Sequence, residues 1–193
     1  IVPMGGIAYA VGEGAPAAPA AGEFIPGDVP AQSGTMDAMV APVNALVMCM
    51  VEQGLAYNDQ DDVFLWNSLY YMLSLYGQMD ERAELTDDTL ILPSEMVQDY
   101  AAALYPQVEQ LPGIPAPISQ RIRYQASDDS YHLARGDEGL AEVVLQTPIT
   151  LASGAVVLTG QLNSLEDGSL LRDFQVTLSP RDSMFGYVIT DLT

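Results

Sequence analysis

Apolar residues recur at helical spacing from about residue 35 to about residue 105, and alternate in strand fashion from about residue 119 onward. A repeat near 3.6 buries one face of a helix, and a repeat of two buries one face of a strand. The first half therefore reads as helices and the second as an antiparallel meander.

The first predicted helix runs from Thr35 to Tyr57, with Ser33 or Thr35 able to cap it and Gly54 near its end. Pro42 either kinks this helix or marks its true beginning. The second runs from Asp61 to Gln78, with Asn58 or Asp59 as the cap and Asp61 and Asp62 favouring its positive end. "TLILP" reads as a short strand ending at Pro93. Ser94 then caps a third helix, Glu95 to Tyr105, whose Val97, Tyr100, Ala101 and Leu104 share one face.

Beyond a loop, "QRIRYQ" and "YHLAR" flank the turn "SDDS". "AEVVLQTPITLAS" and "AVVLTGQLN" flank Gly154, "LEDGS" turns into "LLRDFQVTLS", and "MFGYVITDL" is the last strand. The expected fold class is α+β: three N-terminal helices packed on a curved, cone-like antiparallel meander sheet. Residues 35–193 form one domain on this reading.

The second helix holds the only tryptophan, together with Phe64, Tyr70, Tyr71 and Tyr76. At roughly 100° per residue, Asn67, Ser74 and Gln78 fall on one narrow stripe. Apolar or aromatic side chains cover most of the remainder. A helix apolar nearly all round is buried nearly all round, which predicts core. The competing reading is a pocket in which Trp66, Tyr70 and Tyr71 orient a small apolar ligand, because buried Tyr and Trp must place their polar atoms.

The N-terminal stretch carries the only clue to location. Ala8, Tyr9 and Ala10 form A-x-A behind a short apolar run, as at the end of a secretory signal peptide cleaved after Ala10. An ordinary apolar strand is the alternative. Residues 11–34 are rich in Ala, Pro and Gly and read as a linker. Residues 1–10 and 11–34 together predict an extracellular or cell-envelope-associated bacterial protein. The longest uncharged run, Ala38 to Val51, is too short to span a bilayer.

Charge narrows the partners. Six arginines stand against 26 acidic residues, for a net charge of −20, and there is no lysine. Lysine Schiff-base chemistry and lysine-dependent phosphate loops are excluded within this chain. Nucleic-acid and anionic-membrane binding are disfavoured for want of cations. Cys49 is the only cysteine and lies in an apolar run, so it reads as an inert buried thiol.

His132 is the only histidine. Folding the hairpin so that Ser127 faces Ser130 puts Gln125 opposite His132 and Tyr124 opposite Leu133. Ile122, Tyr124, Tyr131 and Leu133 then share an apolar face, with Arg121, Arg123, Gln125 and His132 on the polar one. Arg121, Arg123 and His132 are the one predicted place for an anionic ligand, against a plain solvated face. Arg135, Gly136 and Asp137 spell R-G-D, which is also ordinary turn chemistry. The acidic runs "NDQDD", "TDDT", "SDDS" and "LEDG" lack the spacing of a calcium loop. No nucleotide-binding, zinc-protease, dithiol or nucleophile-elbow motif is present. The chain thus predicts no cofactor, no metal centre and no catalytic constellation.

The order of two long helices, a short strand, a third helix and a meander resembles the nuclear-transport-factor-2-like domains. "LPSEMVQDYAAALYP" and "VTLSPRDSMFGYVITDL" also look like secreted proteins of Gram-positive gut bacteria. The resemblance covers residues 35–193 in outline and places no catalytic residue. It implies a helix-covered curved sheet that hosts dehydratases, isomerases and binding domains alike. The expected function is a non-catalytic binding domain for a protein, glycan or small apolar ligand. A small cavity enzyme and a structural homodimer joined through the sheet are the alternatives.

Overall fold

The computed structural model describes residues 29–30, 36–135 and 140–193. The proposed signal end, most of the linker, and Gly136 and Asp137 of the R-G-D turn lie outside the described residues. The fold is α+β with antiparallel sheets.

Helix α1 (Val40–Gln53) follows a single 3-10 turn, Asp37–Met39. Pro42 lies in its first turn, where a missing N–H costs nothing, so the helix starts near the proline rather than kinking at it. Gly54 closes the helix in the left-handed conformation, at φ 65°, with its N–H on Met50 O. Pro42 through Met50 are all buried.

Helix α2 (Asp62–Tyr76) is capped by Asp61, whose Oδ1 accepts the Val63 N–H at 3.1 Å. The expected caps, Asn58 and Asp59, sit three and two residues too early. Asn58 Oδ1 instead accepts the Gln60 N–H at 3.0 Å, shaping the approach to the helix. Asp61→Ala is expected to lower stability by about 1 kcal/mol. The check is a lower urea midpoint with an unchanged slope; an unchanged midpoint would deny the cap a role.

Helix α3 (Ser94–Leu104) buries the predicted Val97, Tyr100, Ala101 and Leu104, and also Met96 and Ala103. It has no side-chain cap at its own start. Help comes from a distant turn: the Ser94 N–H donates to Asp129 O at 2.9 Å.

The strands form two sheets rather than one meander. The smaller contains β2 (Glu84–Leu85), β3 (Thr89–Pro93), β4 (Ile122–Gln125) and β5 (Ser130–Ala134), in the order β2-β3-β5-β4. Strands β2 and β3 precede α3, so the helices are not all N-terminal. The larger contains β1 (Val29–Pro30), β6 (Ala141–Leu145), β7 (Ile149–Thr150), β8 (Val156–Ser164), β9 (Leu170–Pro180) and β10 (Tyr187–Leu192). Its order is β1-β7-β8-β9-β10, with β6 also paired to β8. Val29 and Pro30 of the Ala/Pro/Gly-rich segment are therefore tied to the sheet, Val29 opposite Thr150.

The stretch predicted as one strand, "AEVVLQTPITLAS", is split. Pro148 cannot donate to a ladder, so β6 and β7 lie end to end along the same edge of β8. Helix α1 packs on α2 and on β6, β8 and β9, while α3 packs on β3, β5 and β10. One continuous core joins all three helices to both sheets.

In the β4–β5 hairpin, Gln125 pairs with Ser130, Arg123 with His132 and Ile122 with Leu133. The expected register is off by two residues. A two-residue slip keeps each side chain on its face, so the predicted faces hold within the two strands. Arg121 is the exception: it precedes β4 and turns to the Tyr70 ring instead of joining Arg123 and His132.

Candidate functional site

The six residues singled out by sequence fall into three places. Trp66 and Tyr70 lie in the core, with Arg121 over the Tyr70 ring. Tyr71 points toward the end of α1. Arg123 and His132 are cross-strand neighbours on the other face of the four-stranded sheet.

Trp66 is 0% exposed. Its Nε1–H donates to Pro112 O at 3.1 Å, and its ring meets Tyr131 with centroids 5.7 Å apart. The Tyr70 hydroxyl donates to Ala134 O at 3.0 Å. The Arg121 guanidinium stands 5.5 Å from the centroid of the Tyr70 ring, an attractive cation–π distance. Tyr71 donates to Glu52 Oε2 and accepts from Gln53 Nε2 at 3.1 Å. Burial first, then the Glu52 carboxylate, pushes the Tyr71 phenol above its ordinary range. Each polar atom of the three aromatic residues is thus committed to a partner within the fold.

Of the predicted polar stripe, Asn67 is buried, Ser74 is half-buried and Gln78, beyond the end of α2, is exposed; Asn67 and the neighbouring Ser68 bond within the helix. Asn67 Nδ2 donates to Val63 O at 2.8 Å, and Ser68 Oγ donates to Phe64 O at 2.7 Å while touching the Tyr105 hydroxyl. Asn44 Nδ2 of α1 donates to the Tyr76 hydroxyl at 2.8 Å, and Asn44 Oδ1 is without a partner.

On the polar face of the smaller sheet, His132 Nε2 lies 3.2 Å from Asp128 Oδ2, and Ser130 Oγ donates to Asp128 Oδ1 at 2.7 Å. The carboxylate stands between hydroxyl and imidazole. A nucleophilic triad needs the imidazole in that middle position, so this cluster braces the turn rather than activating Ser130. Hydrogen bonds from Ser130, and then His132, hold the Asp128 carboxyl below its usual range. Among the described residues, no three His, Cys, Asp or Glu side chains converge in a way that could hold a metal.

Cys49 is fully buried, and desolvation, helped by the Glu52 charge, pushes its thiol up to about 12. It is expected to resist a thiol reagent near pH 8 in the native protein and to react once per chain in urea. Fast native labelling would contradict its placement.

Two surface depressions among the described residues are lined by neither Trp66 nor Tyr70. One, of about 550 Å³, is lined by Met79, Asp80, Glu81 and Arg82. Its cation is already engaged: Arg82 pairs with Asp80 at 2.9 Å and with Asp99 at 2.7 Å. These bonds hold the Asp80 carboxyl below its usual range. The other, of about 420 Å³, lies between the start of α1 and the β6–β7 link, and its lining includes Val40, Thr147 and Pro148.

The feature that sequence reasoning missed is on the outer face of the six-stranded sheet. Glu142 pairs with Asn163, which pairs with Leu170. One step on, the Leu165 N–H donates to Leu140 O. Residues two apart on a strand share a face, so Val144 and Leu170 project outward with Glu142 and Asn163, and the exposed Leu140 and Leu165 adjoin that face just beyond the ends of β6 and β8. Leu140, Val144, Leu165 and Leu170 are 61%, 50%, 55% and 51% exposed. Leu171, in the β9 irregularity, is exposed beside them. The signal was the pair of leucines bracketing the "LEDGS" turn. Alternation alone does not say which of two apolar sets faces inward.

Comparisons with protein-family models, with curated proteins and with solved structures find no match to this chain.

Proposed function

We propose that this chain is a non-catalytic interaction domain, carried outside the cell or at a bacterial envelope, that binds a macromolecular partner through the outer face of its larger sheet. The observation that carries the reading is the use made of α2. Its aromatic side chains, the natural wall for a small-molecule pocket, are packed, and their polar atoms are satisfied by Pro112, Ala134, Glu52 and Gln53. The leucines between Leu140 and Leu170 supply an apolar surface of the kind partners cover.

On this reading the fold is a variant of the nuclear-transport-factor-2-like plan, with its curved sheet over helices. Supporting this are the element order and the seating of α1 on β6, β8 and β9. The export reading rests on Ala8 to Ala10 and the linker composition. N-terminal sequencing of the native product tests it: a mature chain starting at Val11 is expected, and one retaining earlier residues would refute it.

Function is tested by thermal stability against two panels, one of small apolar molecules and sugars, the other of polypeptides. A ligand that binds only the native state raises Tm by mass action. The expected stabilisers are polypeptides. A saturable rise with a small molecule would instead support the dehydratase- or isomerase-like cavity.

A further inference from the structure

The leucine face carries charges that specify its partner, and this inference rests on the interaction-domain reading above. Glu142 stands between Leu140 and Val144 along the chain, on the same outward face as Val144. Exposed Glu166 and Asp167 occupy the turn beside Leu165, and exposed Asp173 lies farther along β9. Arg172, the one arginine in β6, β8 and β9, pairs with Leu162, whose side chain is buried on the opposite face. The patch is therefore apolar with an acidic rim.

A second copy of this chain fits it poorly. A two-fold pairing would bring the acidic rim of one copy, with Glu142, Glu166, Asp167 and Asp173, against the same acidic rim of the other, in a chain of net charge −20. Like charges across an interface penalise it, whereas opposite charges steer a partner in.

The strand pattern adds a second constraint. The outward positions of β6 and the residue just before it read apolar, acidic, apolar: Leu140, Glu142, Val144. Strand β6 pairs with β8, and no other strand among the described residues lies on its second edge. An extended segment laid there presents alternate side chains to the same face. Its complement is apolar, basic, apolar.

We propose that the outer face around Leu140, Val144, Leu165 and Leu170, with the adjoining edge of β6, docks a cationic amphipathic polypeptide segment in extended conformation. Leucine-like side chains of the partner cover the leucines, and lysine or arginine at alternate positions meets Glu142 and Glu166.

The test uses the full chain and a fluorescently labelled peptide of alternating Leu and Lys, followed by anisotropy. Peptides of alternating Ser and Lys, and of alternating Leu and Glu, serve as controls. Saturable binding of the Leu/Lys peptide is expected, at least about tenfold tighter than either control. Leu140→Ser with Leu165→Ser should weaken it by about tenfold or more. These side chains are exposed, and unchanged Trp66 emission would show that the variant folds.

Because any strongly acidic protein attracts lysine, location must be separated from net charge. Glu142→Gln with Glu166→Gln should weaken binding several-fold. Glu81→Gln with Glu84→Gln removes the same charge far from the patch and should leave it unchanged. Absence of Leu/Lys binding, or binding indifferent to the leucine variant, would overturn the proposal. So would a dimer that the leucine variant dissociates in light scattering, because it would place a second copy on the face. None of these results touches the reading of α2 as core, which stands or falls on the small-molecule panel.

Discussion

Replacing Trp66 by alanine is expected to lower folding stability by about 3–5 kcal/mol, the range for truncating a large buried aromatic residue. The indole is completely enclosed and lies against Tyr131 of β5, so its loss opens a cavity between α2 and the smaller sheet. It also leaves the Pro112 carbonyl without its donor. Typical domains are stable by about 5–15 kcal/mol, so the variant sits near the edge of folding. Trp66→Phe keeps most of the volume and should cost markedly less. Urea unfolding followed by circular dichroism measures both, since neither variant has a tryptophan to report. A cost below about 1 kcal/mol for the alanine variant would mean that the ring does not sit in a close-packed core.

Gly160→Val is expected to destabilise by about 3 kcal/mol, and Gly160→Ala by less, within the range for overpacking a filled core. Strand propensity alone points the other way, because valine suits a strand better than glycine. Local geometry decides. Gly160 pairs with Phe174 on one side and Leu145 on the other. A Cβ built there would lie 2.6 Å from Phe174 Cζ, 3.0 Å from Val144 O and 3.1 Å from Leu145 Cδ2. The Phe174 ring, 5% exposed, occupies the space that the missing side chain leaves. Trimming that ring should relieve part of the clash. The double variant with Phe174→Leu should therefore be more stable than the two single costs sum to, a coupling of about 0.5–3 kcal/mol. Strict additivity in a denaturation cycle would show that the ring and the glycine are not in contact.

Features set by local periodicity could be read from the chain. The buried face of α3, the all-round burial of α2 and the two faces of the β4–β5 hairpin each follow from side-chain spacing. Features set by distant partners could not. The pairing of β3 with β5 joins residues some forty positions apart, and nothing in "TLILP" names "SYHLA" as its neighbour. The Asp129 carbonyl at the start of α3 is another such partner, brought by a turn from elsewhere in the chain. Hairpin register depended on the turn. Asp129 takes φ 47°, and Ala126 to Asp129 all fall in the loop, moving the pairing by two. At the candidate site, the sequence reading gave one aromatic and one basic set, and the fold divides both and moves Arg121 onto Tyr70. Trp66, Tyr70 and Arg121 cluster, whereas Arg123 and His132 face away from them. The leucine face stayed hidden because β6 and the β8–β9 turn carry apolar residues on both sides.

The most direct measurement is the fluorescence of Trp66, the single tryptophan. Its emission maximum, acrylamide quenching and response to small apolar and sugar ligands are recorded on the native chain. If α2 is core and binding belongs to the outer sheet face, emission is blue, quenching is slow and no small ligand changes either. Ready quenching, with a spectral shift on adding one ligand class, would contradict that account and put a pocket at Trp66.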